Sequence, residues 1–424
     1  MEQFLLDAAM TSQGDDMQKF FREEKYIFLF YSLFMICFVF WIPEKVYDDA
    51  VFSQISGSLN WFYERYFVWS SRLVIEYVLI FLCKHDILIF KSITLLILLI
   101  TPIILSKLID KQNTYYCYGI CFLYGLESMG TAGWIATFTN YYYVFFCLLI
   151  SIFALRSQRM SSLLLAISIV YATNHEQGLL IFLCTIIVQI YYNHRNHQIY
   201  VAACITFIML LIVLLSPGNE ARYYSEIKTW NPSFIHQTFF YKSYLGITTT
   251  LYRYTIVPNI TMLFLLFCIF INKYKNIKKS LYITMAILAI SFLNYISIDT
   301  QNIEITKTIL VYANDLTSLT FRHMLYLIYS LILFGYIIYQ CYSLLHTDER
   351  NLAIFILMIG LSSRFVIGLS PTLFVSSTRT YIFCDFSILS VSYIFFSHIK
   401  KEYKNKIIWC AIIAQLIHYG SFLF

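Results

Sequence analysis

The stretch "KVYDDAVFSQ", residues 45–54, sets two adjacent carboxylates, Asp48 and Asp49, directly behind an apolar run that closes with Trp41, Ile42 and Pro43. The chain around it has 424 residues, of which 59% are hydrophobic and only 13% charged. Its mean hydropathy is +0.67, outside the range of soluble globular domains and inside that of polytopic membrane proteins. A carboxylate in such a chain needs a reason. An ionisable group at the membrane centre costs about 2.5–3.5 kcal/mol, so it is placed where it faces a cavity or a partner.

Working outward from the tandem acids, the expected fold class is all-α, with about thirteen apolar segments approaching the span length of about 20 residues. They cover residues 26–42, 87–106, 114–126, 141–155, 161–171, 177–191, 199–215, 254–271, 281–298, 324–341, 352–369, 381–396 and 407–423. Residues 1–25 read as a cytoplasmic amino-terminal tail and 26–424 as a single integral membrane domain, without a fixed-period repeat or Gly/Ser linker. Between the first two spans lies a long first outer loop, 43–86. The apolar core of "RLVIEYVLIFLCKHDILIF" (72–90) is short for a span, so residues 72–83 are expected to lie in or dip into the outer interface.

Orientation follows from the short loops. "KLIDK" (107–111), "RSQR" (156–159), "NHRNH" (193–197), "KYKNIKK" (273–279) and "KKEYKNK" (400–406) fall on one side. They mark the cytoplasm, together with the amino terminus, under the positive-inside rule. The amino end lacks the basic, apolar and small-residue order of a secretion signal, so the first span is expected to act as its own insertion signal. The 11 cysteines lie singly, nearly all in apolar runs, and read as small hydrophobes rather than disulfide or zinc ligands.

Polar residues gather in the outer loops. Side by side, Asp48 and Asp49 cannot both point the same way. One reading makes Asp49 a helix N-cap and Asp48 a solvated acid; the other turns one of them into a cavity. Arg65 and Arg72 follow, with Trp61 and Trp69 close by, and a guanidinium fork suits phosphate oxygens. "YATNHEQGLL" (171–180) puts Asn174, His175 and Glu176 at a turn between spans. "LLSPGNEARYY" (214–224) turns at Pro217 and Gly218 and presents Asn219, Glu220 and Arg222. "GWIATFTNYYY" (133–143) brings Trp134, Asn140 and three tyrosines, which suit a sugar-stacking surface or an aromatic belt. Arg322 and Arg379 lie at later loop mouths, and Arg364 lies within a span and needs an acidic or phosphate partner.

This arrangement resembles the GT-C class of membrane glycosyltransferases: one inside-to-outside span, an acidic pair opening a long outer loop with interfacial helices, then many further spans. More narrowly, "YDDAVFSQ", "SSRLVIEYVL", "GWIATFTNYYY", "ATNHEQG" and "SPGNEAR", in that order, are similar to a bacterial GT-C-like multispanning family and to phage-type O-antigen glucosyltransferases. The resemblance covers the first half of the chain best. It implies a bacterial inner membrane location and an extracytoplasmic active site. The implied donor is a polyprenyl-phosphate-linked sugar, and the implied acceptor is a glycan or lipid-linked glycan. GT-C enzymes use a first-loop acid as base, which by position is Asp48 or Asp49. The sequence departs from the metal-binding patterns of better-known members, so no metal ligand or other cofactor is assigned and a divalent ion stays open. Membrane lipid is the expected surrounding partner, and nucleic acid is not a partner.

The chemistry can be reasoned separately. A carboxylate of ordinary pKa, about 3.9, cannot strip a sugar hydroxyl in advance. It must take the proton while the new bond forms, an effect typically of roughly 10²–10⁴-fold. Stabilising the departing phosphate falls to preorganised cations, here Arg72, Arg222 and Arg379, with Arg322 in reserve. His175 and Glu176 could hold acceptor hydroxyls or position the acid. A single acting acid is consistent with inversion. Rival readings are an O-antigen or capsule polymerase or ligase and a flippase or transporter. The latter predicts paired Gly/Pro-broken helices, and 13 Gly and 6 Pro give it little support.

Overall fold

The structure, a computed structural model, describes residues 23–109, 113–157, 161–193, 196–255, 259–273, 321–376 and 378–423. Every regular element among them is helical. The chain opens with α1 (Lys25–Trp41), α2 (Asp48–Gln54), α3 (Leu59–Val68), α4 (Leu73–Lys84), α5 (Ile87–Ile109) and α6 (Thr114–Cys121). Next come α7 (Trp134–Ser157), α8 (Ser162–Thr173), α9 (Glu176–Asn193) and α10 (His197–Leu214). They are followed by α11 (Pro217–Trp230), α12 (Phe239–Thr255), α13 (Ile260–Lys273) and α14 (Phe321–Leu344). The last are α15 (Thr347–Phe365), α16 (Ile382–Ser397) and α17 (Lys401–Leu423).

Six helical segments among the described residues are long and apolar enough to cross a membrane, or seven if the bent pair α12 and α13 is one span. This is the make-up of a polytopic membrane protein. The helices are sided as a bilayer requires. In α1, Ile27, Tyr31, Met35 and Val39 are buried, spaced four apart along one face. Leu29, Leu33, Ile36 and Phe40 on its other faces remain exposed, a pattern that water would penalise and hydrocarbon favours. At the other extreme, α16 is buried all round and packs on α13 and α15, forming the central post of the bundle.

Several expected boundaries move. The apolar run 114–126 yields only the eight-residue α6, followed by a 3₁₀ turn, Leu126–Gly130. It packs against α1, α5, α16 and α17, so its apolar character reflects enclosure by protein. The span expected from 141 begins at Trp134, because the Asp49 carboxylate caps an earlier turn (below), and it contains a π-helical turn, Phe138–Tyr142. The run 254–271 is split between α12 and α13. The expected span 281–298 lies outside the described residues, as does most of the loop after it.

Described residues at the edges of four of the basic loops are linked to one another or to the start of α1, while the loop 273–279 lies almost wholly outside the described residues. Lys401 Nζ lies 3.6 Å from Glu24, which also accepts from Tyr116 Oη at 3.0 Å. Tyr393 Oη donates to Asn113 O at 2.7 Å, Arg156 donates to Leu108 O, and Asn196 Nδ2 donates to Leu155 O at 3.2 Å. From the segment 43–86, the carboxylate of Asp49 stands in a different neighbourhood, against the first turn of α7.

Gly133 is the tightest backbone requirement there. Its φ is +100°, and a Cβ would fall 2.6 Å from Asp49 Oδ1 and 2.9 Å from Val46 O. Gly133→Ala is therefore expected to lower stability by about 1–3 kcal/mol through backbone strain alone, read as a lower thermal midpoint in detergent. A melting curve equal to the parent's would contradict this account of the α2–α7 junction.

Candidate functional site

The two acids separate into different jobs. Asp49 is 1% exposed, and its carboxylate accepts from Ile135 N at 3.1 Å and Ala136 N at 2.8 Å. It is a helix cap, as one sequence reading had it, but of α7 instead of its own helix. In α2 it is the second residue, and Tyr47 occupies the N-cap position. Burial pushes Asp49 up to about 6, against the pull of the α7 amides. Asp48 is exposed and makes no hydrogen bond or close ion pair among the described residues. Partial desolvation raises its pKa, and the charge of Arg379 draws it back. Tyr47, immediately before it, is the one non-glycine residue with positive φ (49°) among the described residues. Such strain persists where the surroundings enforce it and clusters at functional sites.

A second group stands on the turn between α8 and α9. Glu176 receives both arms of Arg72, with Nε at 3.2 Å from Oε1 and Nη2 on Oε2. Arg222 Nη2 lies 3.4 Å from the same Oε1, and its Nε lies 3.5 Å from Glu226. Burial opposes the charge on Glu176, but Arg72 and Arg222 outweigh it and hold the carboxyl well below its usual range. Asn174 accepts from Val74 N (3.0 Å) and Ile75 N (3.2 Å) and donates to Ser71 O (2.9 Å), capping α4. Asn219 clasps Ser71 from the other side and donates to Val213 O at 2.8 Å. These two amides fix the "SSR" corner that aims Arg72. In "SPGNEAR", Pro217 opens α11, and Gly218 lets it cross α3, since a Cβ there would sit 2.5 Å from Tyr66 O.

His175 is 1% exposed; its Nδ1 accepts from Gln177 N at 3.2 Å, and its Nε2 has no partner. Burial, reinforced by Arg72, lowers its pKa to about 3, so it is a neutral imidazole. Tyr141, in the π turn, lies edge-on to it at 5.2 Å.

The third group surrounds Tyr381 and includes residues that sequence reasoning missed. Arg253 and Arg364 lie over its ring, at 4.6 and 4.3 Å from the centroid. Arg364 is 2% exposed, donates Nη2 to Leu373 O at 3.4 Å, and leaves Nε and Nη1 buried without partners among the described residues. Arg379 Nε is likewise buried and unpartnered. Asp385 accepts from Tyr254 Oη at 2.7 Å and lies 3.9 Å from Arg253 Nη2. Gln177 stitches this group to the second one, donating to Ser363 O (2.9 Å) and Thr380 O (3.1 Å). Asp385 was findable in the sequence: an acid inside an apolar run is a functional candidate by default. Arg253 and Gln177 carried no such signal, since each borders a run and reads as an ordinary loop polar group.

Of the residues singled out from the sequence, Arg72, Asn174, Glu176, Asn219 and Arg222 form one contact network with His175 at its side, while Arg379, whose charge reaches Asp48, precedes Tyr381 in the 3₁₀ turn that Gln177 ties to that network. Three others are committed to packing. Arg65 grips Glu76 with two bonds, 2.8 and 3.0 Å, between the indoles of Trp61 and Trp69. Trp134 is buried against Phe38 and Trp41, and Asn140 donates to Ala136 O at 2.9 Å within its own helix. Arg322 is the second residue of α14, and its side chain is not among those described. Among the described residues no three His, Cys, Asp or Glu side chains gather as a metal-holding group. The chain matches no protein-family profile, no curated protein and no solved structure.

Two outcomes follow. The pKa of Asp49 is higher in the folded chain than the ordinary 3.8, so the folded state holds its proton longer. Its contribution to stability is full below about pH 4 and is lost as pH rises through about 6. Asp49→Asn should remove that slope, and thermal midpoints from pH 4 to 7 that stay parallel in the two proteins would contradict it. Arg65→Ala should cost about 3–5 kcal/mol by stranding buried Glu76, whereas the double variant Arg65→Met/Glu76→Leu should recover most of that loss in the same melting assay.

Proposed function

We propose that the chain is a GT-C-type membrane glycosyltransferase with about thirteen spans in a bacterial inner membrane. It moves a sugar from a polyprenyl-phosphate carrier to a cell-surface or lipid-linked glycan on the extracytoplasmic face. One observation supports this reading: an exposed acid, Asp48, without internal partners among the described residues, lies within the influence of Arg379, and Arg379 and Arg364 hold buried N–H donors that lack acceptors among those residues. A buried cation without an acid partner is costly, and a phosphate oxygen would satisfy it.

In the proposed reaction an acceptor hydroxyl oxygen bonds to the anomeric carbon while the bond from that carbon to the carrier phosphate breaks. The phosphate leaves with the bonding pair, and the hydroxyl proton passes to Asp48. A raised carboxylate pKa suits this role, because proton transfer is most efficient when the base is matched to the working pH. Arg379 and Arg364 stabilise the departing phosphate charge in place of water. Arg72 and Arg222 are half-committed to Glu176 and act by holding that carboxylate, with neutral His175, against the substrate. With Asp49 occupied by backbone amides, Asp48 is the carboxylate of the tandem pair that remains to act, and a single acting acid fits inversion. The same arginine cluster suits a polymerase or ligase working on polyprenyl-linked glycans, and product mass separates the two.

Membranes containing the parent chain, Asp48→Asn or Asp49→Asn, supplied with polyprenyl-phosphate sugar and acceptor glycan, test the assignment. Asp48→Asn should lose roughly 10²–10⁴-fold in transfer, and Asp49→Asn should keep most of it. Full transfer by Asp48→Asn would rule out the proposed base.

A further inference from the structure

A cleft with no part in that chemistry opens between the end of α11, the start of α12 and the turn after residue 370. Its volume is about 210 Å³, and its lining includes Trp230, Asn231, Gln237, Tyr241, Pro371 and Phe374. No lining residue is charged. That neutrality stands out beside a neighbouring region crowded with guanidinium groups.

The lining combines two kinds of surface. Trp230, 55% exposed, together with Tyr241 and Phe374, supplies aromatic rings. Asn231 and Gln237 supply amide donors and acceptors, and Gln237 Oε1 is buried without a hydrogen-bond partner among the described residues. The frame beneath is stiff: Phe234 is 1% exposed, Lys242 Nζ stands 4.0 Å over its ring and donates to Tyr223 Oη at 3.3 Å. Leu245 and Leu373 join Tyr241 and Phe374 in a small apolar cluster of their own. A pyranose has matching surfaces, with apolar C–H faces that lie on rings and hydroxyl edges that pair with amides. An alkyl chain in the same cleft would strand the amides, and an anion would find no cation among the lining residues. The volume is below the roughly 300–1,000 Å³ of drug-sized sites and suits a single sugar ring.

We propose that this cleft binds one neutral sugar residue of a glycan; that this glycan is the acceptor rests on the function proposed above. The placement supports the link. The turn that contributes Pro371 and Phe374 continues into the 3₁₀ turn Thr378–Tyr381, which carries Arg379. Arg364 donates to Leu373 O from below. Arg222 and Trp230 ride on the same helix, and eight residues at 1.5 Å each put them about 12 Å apart along it, a length that a short oligosaccharide spans.

The test uses the full chain in lipid nanodiscs and saturation-transfer NMR with methyl glucosides, methyl galactosides, lactose and maltose, and with glucose 6-phosphate as the charged comparison. At least one neutral sugar should show transfer that falls about tenfold or more in both Trp230→Ala and Gln237→Ala and persists in Asp48→Asn. Thermal midpoints report folding, and Trp230→Phe, which keeps a ring, should retain binding if the alanine variant melts. Absence of transfer from every neutral sugar, or signals undiminished in both cleft variants, would overturn the proposal. Binding at the cleft alongside full glycosyl transfer by Asp48→Asn would instead leave the sugar site standing and remove the proposed base. Loss of transfer in Asp48→Asn without sugar binding at the cleft would do the reverse.

Discussion

The contact between the Asp49 carboxylate and the first amides of α7 is the constraint from which the rest of the region follows. Helix starts leave backbone N–H groups without partners, and here two of them are answered by a side chain from another helix. That ties α2 to α7, requires the glycine at 133, and fixes the rotation of α2 about its axis. Successive residues on a helix point about 100° apart, from 3.6 residues per turn. With Asp49 turned into the protein, Asp48 must turn away from it, towards the side on which Arg379 acts. The tandem acid is thus one anchor and one free group.

Around that free group the distribution of charge is uneven in an informative way. Glu176 is matched by two guanidinium groups, and Asp385 by a tyrosine hydroxyl and Arg253. Among the described residues Arg364 has a carbonyl oxygen and an aromatic face but no carboxylate. The faces of Tyr381 offer negative quadrupole to both flanking cations, which stabilises two arginines near one another without neutralising them. A region built in this way keeps positive potential in store, and an anion entering it meets donors already oriented, with little reorganisation to oppose binding.

Much of the helical layout was legible in the sequence because apolar run length reports burial or lipid contact directly. Runs 87–106, 199–215 and 352–369 correspond to α5, α10 and α15 within a few residues. Legibility failed where an apolar run is enclosed by protein, as at 114–126, and where a helix start depends on a distant cap, as at Trp134. The candidate site divides in the same way. Charged residues in outer loops were visible as exceptions in a greasy chain, but their partners were not. Nothing local says that Glu76 claims Arg65, eleven positions away, or that Asn174 serves α4, which lies about a hundred residues earlier in the chain. Gln177 and Tyr381 become meaningful only once the chain brings α9, α15 and the 3₁₀ turn together.

The crossing at Gly218 gives α11 one further property. Because its first turn is pressed onto the backbone of the end of α3 at Tyr66 and of the residues after it, Trp69 and Ser70, it has no slack at that end. The exposed apolar side chains of α3, Leu59, Tyr63 and Phe67, are the part of this unit most open to whatever surrounds the protein. A tilt of α3 would be passed on mechanically, carrying Arg222 and Trp230 as one rigid rod. Their separation is then set by helix rise alone, and α11 acts as a fixed gauge whose position, but not whose length, responds to its surroundings.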